Sequence, residues 1–507
     1  MKKRTAWIEK IGHKIPDPVI IFIILYILVM LTTAFLGGRT FETVTPDGSV
    51  TYTFKNMFLA ENFRWIFQNA LLTNWLGYGN GILGAILIVI FGIGAAEESG
   101  LLSALIRRAG TAISVRFLPY VLVFLGIMSN IATDAGYIVL VPLAGLLYAG
   151  IGKNPLIGMA AAFAGVSAGF SANLIPATAV DVIIGTNAQN FAVSQNIPFV
   201  SYTGRSIHPM TMHYYFMVTS TVLLVLLGGF ITNRWIRPRL EKMQYQIPED
   251  INIRDFKVTD AEKKSMRWAF AGLLIGALVV LAFAIWPLRA YVDETGKKVT
   301  PFLDQIILMI TLLFFIPGVF YGFAIGKFKS AGDIVKAVSK QFGAMGYVLV
   351  LTFFSYNFLA LLSYTNIGTY ITFIGAKGLQ AAGLSHFPLL LMLGFILVTA
   401  VINLFVGGLT SKWMLLGPIF VPMLYQVNPE MTPDVVSAAY RVADSCTNTI
   451  TPLMTYAGVI LMYMRRYKPD FSVSDIIGTM FPYSAVFLIT WSFLLVCFIW
   501  LKIPLGF

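Results

Sequence analysis

Charged side chains are scarce in this sequence. Asp, Glu, Lys and Arg make up 12% of the 507 residues, about half of the roughly 25% found in soluble domains. The mean hydropathy is +0.77. So apolar a composition places most of the chain in lipid. It excludes a soluble enzyme, a nucleic-acid-binding protein and a disordered scaffold, and it assigns the net charge of +12 to basic cytoplasmic loops.

Cysteine and histidine are also rare. The two cysteines, Cys446 and Cys497, lie in apolar runs, which excludes a disulfide framework and a zinc site. The four histidines do not have the spacing of metal ligands. The sequence carries no Walker lysine motif, nucleophile elbow or HExxH motif. We therefore expect no enzyme activity and no cofactor, and any uphill transport would depend on an ion gradient, with sodium or a proton as the coupling ion.

Long apolar runs dominate the chain instead. Two of them, 118–150 and 386–427, are too long for one span and are interrupted by polar residues. Polar tips between apolar arms indicate re-entrant hairpins, because irregular backbone at membrane depth survives only beside protein or a wet cavity. The predicted fold is an all-α polytopic membrane protein with these two re-entrant helical hairpins and about nine transmembrane helices. The nine predicted spans are 18–37, 81–97, 156–190, 211–233, 268–287, 304–326, 343–362, 435–464 and 478–501.

The distribution of Lys and Arg predicts the orientation. If the N-terminus is cytoplasmic, 25 of the 36 basic residues lie in inner segments. This bias follows the positive-inside rule. It predicts a cytoplasmic N-terminus, an external C-terminus and an odd number of spans. The predicted inner segments are 1–17, 98–117, 151–155, 234–267, 327–342 and 465–477.

The two hairpins have the same kinds of neighbours, which predicts an inverted repeat. An offset of 276 residues pairs Pro142 with Pro418 and Pro176 with Pro452. Inverted repeats with discontinuous helices place a substrate site near the bilayer midplane. The alternative is chance proline spacing in a membrane chain rich in glycine and proline. The predicted organisation is an N-terminal helix and outer segment (1–80), a first repeat (81–233), a basic cytoplasmic loop (234–267), connecting helices (268–342) and a second repeat (343–507).

Charged groups within apolar segments identify the candidate site. Arg441 and Asp444 are three residues apart on one predicted helix face. Polar residues including Asn448 follow them, before Pro452 breaks the helix. Unwound carbonyl groups there would hold a cation, and half-helix N-termini would face an anion. The alternative is an ion pair that only locks two helices together.

The other broken span carries Asn173 and Asp181. An intramembrane carboxylate is by default a substrate or coupling-ion residue, and helix packing does not require either side chain. The hairpin tips add Ser129 and Asn130 in the first hairpin and Thr410 in the second. We list Asp181, Asp444, Asn173, Asn448, Ser129 and Asn130 as candidate coupling-ion residues. Trp413 is either an interfacial belt residue or a surface on which an aromatic substrate stacks.

Several motifs together resemble the p-aminobenzoyl-glutamate transporter (AbgT) family. They are Trp7 to Pro18, Ala164 to Asn173, Trp413 to Met423, Arg441 to Ser445 and Tyr467 to Asp470. The resemblance implies nine spans and two re-entrant hairpins in a homodimer in the bacterial inner membrane. It further implies coupling to sodium or protons, uptake of p-aminobenzoyl-glutamate and export of sulfonamide antimetabolites.

The same resemblance implies roles for single residues. By position, Asp181, Trp413, Arg441, Asp444 and Pro452 resemble the substrate cavity of the family, and Thr410 stands where a serine is usual. Arg441 would suit the carboxylates of a glutamate group, and Trp413 would suit the aminobenzoyl ring. Two alternatives stay open: a carrier of dicarboxylates or other organic anions with similar hairpins, and a membrane-embedded enzyme, which would need a nucleophile and a base that the sequence does not reveal.

Overall fold

Helices account for most of the protein in the computed structural model. The structure describes residues 17–45, 48–78, 82–111, 114–130, 136–247, 258–292, 298–299, 301–404, 408–451 and 456–507. The helices of the first half are α1 (Pro18–Leu36), α2 (Ala60–Asn69), α3 (Ile82–Ser99), α4 (Leu101–Thr111), α5 (Leu118–Ser129), α6 (Val141–Gly150), α7 (Pro155–Phe163), α8 (Ala179–Val193), α9 (Tyr214–Ile231) and α10 (Arg237–Leu240). Those of the second half are α11 (Asp260–Ile285), α12 (Pro301–Asp304), α13 (Ile306–Ala324), α14 (Ala331–Ala344), α15 (Gly346–Tyr364), α16 (Ile367–Ala381), α17 (Pro388–Asn403), α18 (Leu409–Val427), α19 (Pro433–Thr447), α20 (Ala457–Tyr467) and α21 (Val473–Trp500).

Several of these helices are long and apolar enough to cross a bilayer, which confirms the predicted all-α membrane class. Strand is confined, within the described residues, to two small antiparallel pairs. The exact number of spans stays a prediction. The helices that meet a spanning length and hydropathy are Val19–Leu36, Tyr214–Leu240, Asp260–Ile285, Ile306–Ala324, Gly346–Tyr364 and Val473–Trp500.

The predicted hairpins are pairs of apolar helices. The arms of the first are α5 and α6, of 12 and 10 residues. At 1.5 Å per residue each arm reaches about 15–18 Å, roughly half the hydrocarbon thickness. The arms of the second are α17 and α18, and Gly408 precedes α18 with φ of +80°, which glycine adopts without a Cβ clash. Residues 131–135 and 405–407, at the two tips, lie outside the described residues, and they include Asp134.

The first broken span has an identifiable local cause. Helix α7 ends in a π-helical turn, Ala164–Ala168, and Pro176, which lacks a backbone donor, follows in an irregular stretch. Ala177 has a positive φ of 53°, so the backbone leaves helical geometry there before α8 begins. The second broken span is α19 followed by α20, and the chain leaves the helix at residues 448–451. Pro452, the predicted cause of its break, lies outside the described residues.

The order of elements is the same in both predicted repeats. The first repeat runs through a long helix, a shorter helix, a hairpin, a broken helix and a final long helix (α3 to α9). The second runs through the same series (α15 to α21). Small residues let the first hairpin approach the first broken span closely. A Cβ added to Gly165 would lie 2.3 Å from the carbonyl oxygen of Val123 in α5. The inversion of one repeat relative to the other stays a prediction.

Segments that the charge pattern groups on the inner side contact one another. Lys340 of α14 pairs with Glu98 at 2.9 Å, and Arg107 pairs with Glu262. The Asn154 amide donates to the carbonyl of Leu240 at 2.7 Å. Helix α14 begins at a capping box in which backbone N–H groups donate to the Asp333 carboxylate and lower its pKa. These contacts agree with the grouping, and which face is cytoplasmic stays a prediction.

The predicted outer segment contains structure that the sequence did not reveal. Strands β1 (Thr40–Thr45) and β2 (Gly48–Thr53) form an antiparallel pair, and α2 follows. The Asn366 amide donates to the carbonyl of Thr53 at 2.9 Å. The β1–β2 strand pair therefore contacts the junction between α15 and α16. A second, two-residue pair joins β3 (Tyr291–Val292) to β4 (Lys298–Val299).

Candidate substrate and ion site

Arg441 and Asp181 form a buried ion pair between the two broken spans. Arg441 lies in α19 and is 0% exposed, and Asp181 lies in α8 and is 7% exposed. The distance from Arg441 Nη1 to Asp181 Oδ1 is 2.7 Å. Arg441 therefore pairs across two helices, with Asp181 of α8, rather than with Asp444 three residues along its own helix.

The start of helix α8 positions Asp181. Thr178 is the N-cap residue, and Asp181 is the third residue of the helix, so the two form a capping box. The Thr178 backbone N–H donates to Asp181 Oδ2 at 2.9 Å, and its hydroxyl donates at 2.7 Å. The Asn173 amide reaches the same oxygen at 3.4 Å. Asp181 Oδ2 thus caps the N-terminus of α8, and Oδ1 pairs with Arg441.

Arg441 makes two further contacts that orient its guanidinium. Nη2 donates to the carbonyl of Ser171 at 2.7 Å, and Nη1 lies 3.2 Å from His213 Nδ1. Since guanidinium nitrogens only donate, Nδ1 accepts and His213 Nε2 carries the proton that reaches the Asp434 carbonyl at 2.9 Å. Sequence reasoning missed His213, because its spacing from the other histidines carried no signal.

Unpartnered polar atoms occur in the two broken spans that this ion pair joins. Arg441 Nε, Ser171 Oγ and Thr449 Oγ1 are buried without a hydrogen-bond partner in the described part of the chain. Buried polar groups are rarely left unsatisfied, and an exception requires an explanation such as a ligand site. These three atoms belong to the two broken spans. The breaks therefore present donors for which the described residues supply no acceptor.

A second buried ion pair lies one helical turn further along α19. Lys412 of α18 and Asp444 are both 0% exposed, and Lys412 Nζ lies 2.6 Å from Asp444 Oδ1. Lys412 also donates to Asn403 Oδ1 at the end of α17. The Asn403 amide donates to the Asp444 carbonyl at 2.6 Å and to Asn448 Oδ1 at 3.0 Å. The Lys412–Asp444 ion pair therefore connects the second hairpin to the second broken span.

Lys412 and Asn403 were absent from the candidate site residues. Lys412 carried a usable signal, because it is the one charged residue in the apolar stretch 386–427. Asn403 carried a weaker one, as an amide near the end of a long apolar arm. Both residues contact Asp444, which lies 41 residues after Asn403 and 32 residues after Lys412 in sequence. Sequence spacing alone does not reveal contacts of that separation.

Trp413 is inside the protein rather than at an interface. It is 0% exposed, and its indole N–H donates to the carbonyl of Ile184 in α8 at 3.2 Å. The ring packs against Tyr440, with centroids 4.7 Å apart, and against Phe191, with centroids 5.7 Å apart. Trp413 thus joins α18, α19 and α8 through an aromatic cluster, which we define as Phe191, Trp413 and Tyr440.

The remaining predicted residues lie at the hairpin tips and breaks. Ser129 is buried, and its hydroxyl donates to the Gly126 carbonyl at 2.7 Å. Asn130 is 8% exposed, and neither atom of its amide has a partner among the described residues. Thr410 lies half-buried in the first turn of α18, next to Ser411 and Lys412. The structure thus brings Asp181 to Asn173 and Asp444 to Asn448.

A cavity of about 270 Å³ lies beside the aromatic cluster. The Phe191 ring contributes to its lining and also contacts Trp413. Asn190 Nδ2, another buried donor without a partner in the described chain, belongs to a residue of the same wall. Phe191 therefore separates the cavity from the buried Trp413. Residues of this wall include Tyr78, Asn190, Phe191, Leu359, Pro418 and Ile419.

Replacement of Trp413 tests the indole contact. Trp413→Phe keeps an aromatic ring but removes the donor to Ile184, so we expect a loss of about 1 kcal/mol in stability. Trp413→Ala also leaves a large void, so we expect a loss of about 3–5 kcal/mol. Thermal unfolding of the purified variants in the same lipid measures both. Equal midpoints for Trp413→Ala and the unmodified protein would contradict this packing.

Comparison with known proteins gives full-length matches. A model described as the AbgT putative transporter family matches residues 3–507. The "p-aminobenzoyl-glutamate transport protein" of Escherichia coli (strain K12) is 29% identical over 99% of this chain and 96% of its own length. The crystal structure of the Alcanivorax borkumensis YdaH transporter has a TM-score of 0.87 and 32% identity, covering 97% of this chain and 100% of that one. Neisseria gonorrhoeae MtrF, described within a class of antimetabolite efflux pumps, has a TM-score of 0.84 and 34% identity, covering 97% of both chains.

Proposed function

Because the chain belongs to the AbgT putative transporter family, we propose that it moves p-aminobenzoyl-glutamate, or a related aromatic antimetabolite such as a sulfonamide, across the bacterial inner membrane. The relatives are transporters, and the chain is accordingly a transporter rather than an enzyme. The proposal extends this coarse assignment to substrate and energy source. Coupling to a sodium or proton gradient is part of it, since the sequence carries no nucleotide-binding motif.

The observation that carries the proposal is the pair of buried ion pairs on one broken helix. Placing an ionised side chain at membrane depth costs at least about 2.5–3.5 kcal/mol of free energy. Four such groups close together therefore favour a functional role over a purely structural one. Arg441 retains an unpartnered Nε, which would donate to a substrate carboxylate. The aromatic cluster takes Tyr440 from the same helix, next to Arg441 in sequence, and Phe191 and Trp413 from α8 and α18. It would contact the aminobenzoyl ring.

Ion coupling is assigned to the carboxylates. Asp181 and Asp444 each lie at a helix break or hairpin tip, where backbone and amide oxygens are available. Asn173 and Asn448 lie beside them and would complete the coordination of sodium. A cation bound where a helix break meets a hairpin would link ion binding to movement of the elements that meet there. Alternating access then follows as a rearrangement of the second hairpin against α19.

The remaining parts of the proposal concern assembly. We propose a homodimer with a cytoplasmic N-terminus and an external C-terminus, built from two inverted repeats, with residues 234–267 as a cytoplasmic loop. The family resemblance supports the dimer, and the charge bias supports the orientation. The described outer surface of α1, α11 and α21 carries many large apolar side chains, as expected for helices that face lipid.

Uptake into proteoliposomes tests the proposed function. We expect labelled p-aminobenzoyl-glutamate to accumulate when a sodium or proton gradient is imposed, and Asp444→Asn to reduce this accumulation about tenfold or more. Lys377→Gln is the matched control, because Lys377 is exposed and lies over the Phe373 ring, away from the ion pairs. Absence of accumulation with both gradients, from folded protein, would refute the substrate. Activity on succinate alone would favour a dicarboxylate carrier.

A further inference from the structure

Polar groups from both arms of the second hairpin and from the second broken span surround Asp444. Lys412 of the return arm of the second hairpin and Asn448 of the broken span donate to the carboxylate. Asn403 of the first arm donates to the Asp444 backbone carbonyl and accepts from Lys412. The Tyr440 hydroxyl lies 3.5 Å from Asp444 Oδ1 and donates to the Leu409 carbonyl at 2.6 Å. Asp444 Oδ1 and Asn403 Oδ1 are thus two hard oxygen atoms that share one cation, and that cation is the Lys412 ammonium.

Oxygen atoms in this arrangement also suit a mobile hard cation. Carboxylate and amide oxygens are the preferred ligands of hard metal ions. A second cation does not fit beside the ammonium, because two like charges about 3–4 Å apart in a buried site repel strongly. Occupation of the oxygens by the ammonium and by a mobile cation is therefore mutually exclusive.

We infer that Lys412 is the resident, tethered cation of a sodium site at Asp444 and Asn403, and that sodium binds only when the second hairpin withdraws this ammonium. The inference rests on the proposed function for the coupling role of Asp444. It adds that the Lys412 ammonium competes with sodium for the same oxygen atoms. Withdrawal requires movement of α18 at its first turn. That turn follows the hairpin tip and begins after Gly408, whose φ of +80° marks a sharp change in chain direction.

The alternative is a static ion pair that only locks the hairpin to α19. The two differ in what happens when the ammonium is removed. A static lock predicts a less stable protein whose sodium affinity is unchanged. A competitor predicts a gain in sodium affinity, because the oxygens that held the ammonium become available while the negative charge of Asp444 remains.

Direct sodium binding tests the inference. Full-length protein in lipid nanodiscs is equilibrated with radioactive sodium, and choline chloride keeps the ionic strength constant. We expect Lys412→Gln to bind sodium at least about tenfold more tightly than the unmodified protein. Lys412→Arg keeps a cation at this position, and Lys377→Gln removes a distant cation. Both variants should therefore bind sodium with the affinity of the unmodified protein. The double variant Lys412→Gln/Asp444→Asn should lose the gained affinity.

Two affinity results would overturn the inference. One is equal sodium affinity in Lys412→Gln and the unmodified protein, and the other is a gain that persists in the double variant. Recovery of folded Lys412→Gln in sodium but not in choline would support it, and equally poor recovery in both would overturn it. Because this assay contains no organic substrate, its outcome is separate from failure of the uptake experiment that tests the proposed function.

Discussion

Arg441→Ala is expected to abolish gradient-driven uptake and to lower stability by about 3–5 kcal/mol. The substitution leaves the Asp181 carboxylate buried without its partner at 2.7 Å, and an uncompensated buried charge carries a penalty of that size. It also removes the donor to the Ser171 carbonyl, which connects the two broken spans. Uptake into proteoliposomes and thermal unfolding of the same preparation measure the two effects.

A double variant separates structure from function at this pair. Asp181→Asn/Arg441→Gln removes both charges and keeps amide groups of similar size, so we expect it to recover most of the stability. It should still fail to transport an anionic substrate, because no guanidinium remains to bind the carboxylates. Transport by the double variant at the level of the unmodified protein would show that Arg441 only holds helices together.

Gly185→Ala is expected to prevent correct folding around the site. A Cβ at Gly185 would lie 1.7 Å from the carbonyl oxygen of Pro209, far inside van der Waals contact. Backbone atoms cannot move aside as a flexible side chain can, so the cost should exceed the usual 1–3 kcal/mol of overpacking. The loop at Pro209 leads directly to His213, which contacts Arg441. Displacement of this loop would therefore also disturb the ion pair.

The yield of monodisperse protein and its thermal midpoint measure this effect. Gly378→Ala is the matched control, because Gly378 also lies within a helix, α16, but a Cβ there meets no atom within 4 Å. Since alanine favours helix over glycine by up to about 1 kcal/mol, the control should be as stable as the unmodified protein or slightly more so. Equal stability of Gly185→Ala and Gly378→Ala would show that α8 does not pack against Pro209 as described.

Local sequence signals predicted much of the fold. Apolar runs of spanning length located helices such as α1 and α13, because burial in lipid demands continuous apolar surface. Polar interruptions located both hairpins, and proline located the break between α7 and α8. The strand pair β1–β2 was missed, since short alternating polar segments carry little signal beside long apolar runs. The individual charged residues Asp181, Arg441 and Asp444 also stood out, because charges are costly in lipid.

The pairing of those charges was decided only by the tertiary structure. In the sequence, Arg441 and Asp444 lie three residues apart on one predicted helix face, and their partners were not identified. In the folded chain Arg441 binds Asp181, 260 residues away in sequence, and Asp444 binds Lys412 of the second hairpin. Apolar composition thus determined by itself that the chain enters a membrane and where its helices lie. Partner choice depended on which broken helices and hairpin arms meet, because an ion pair forms between the side chains that packing brings within a few ångströms.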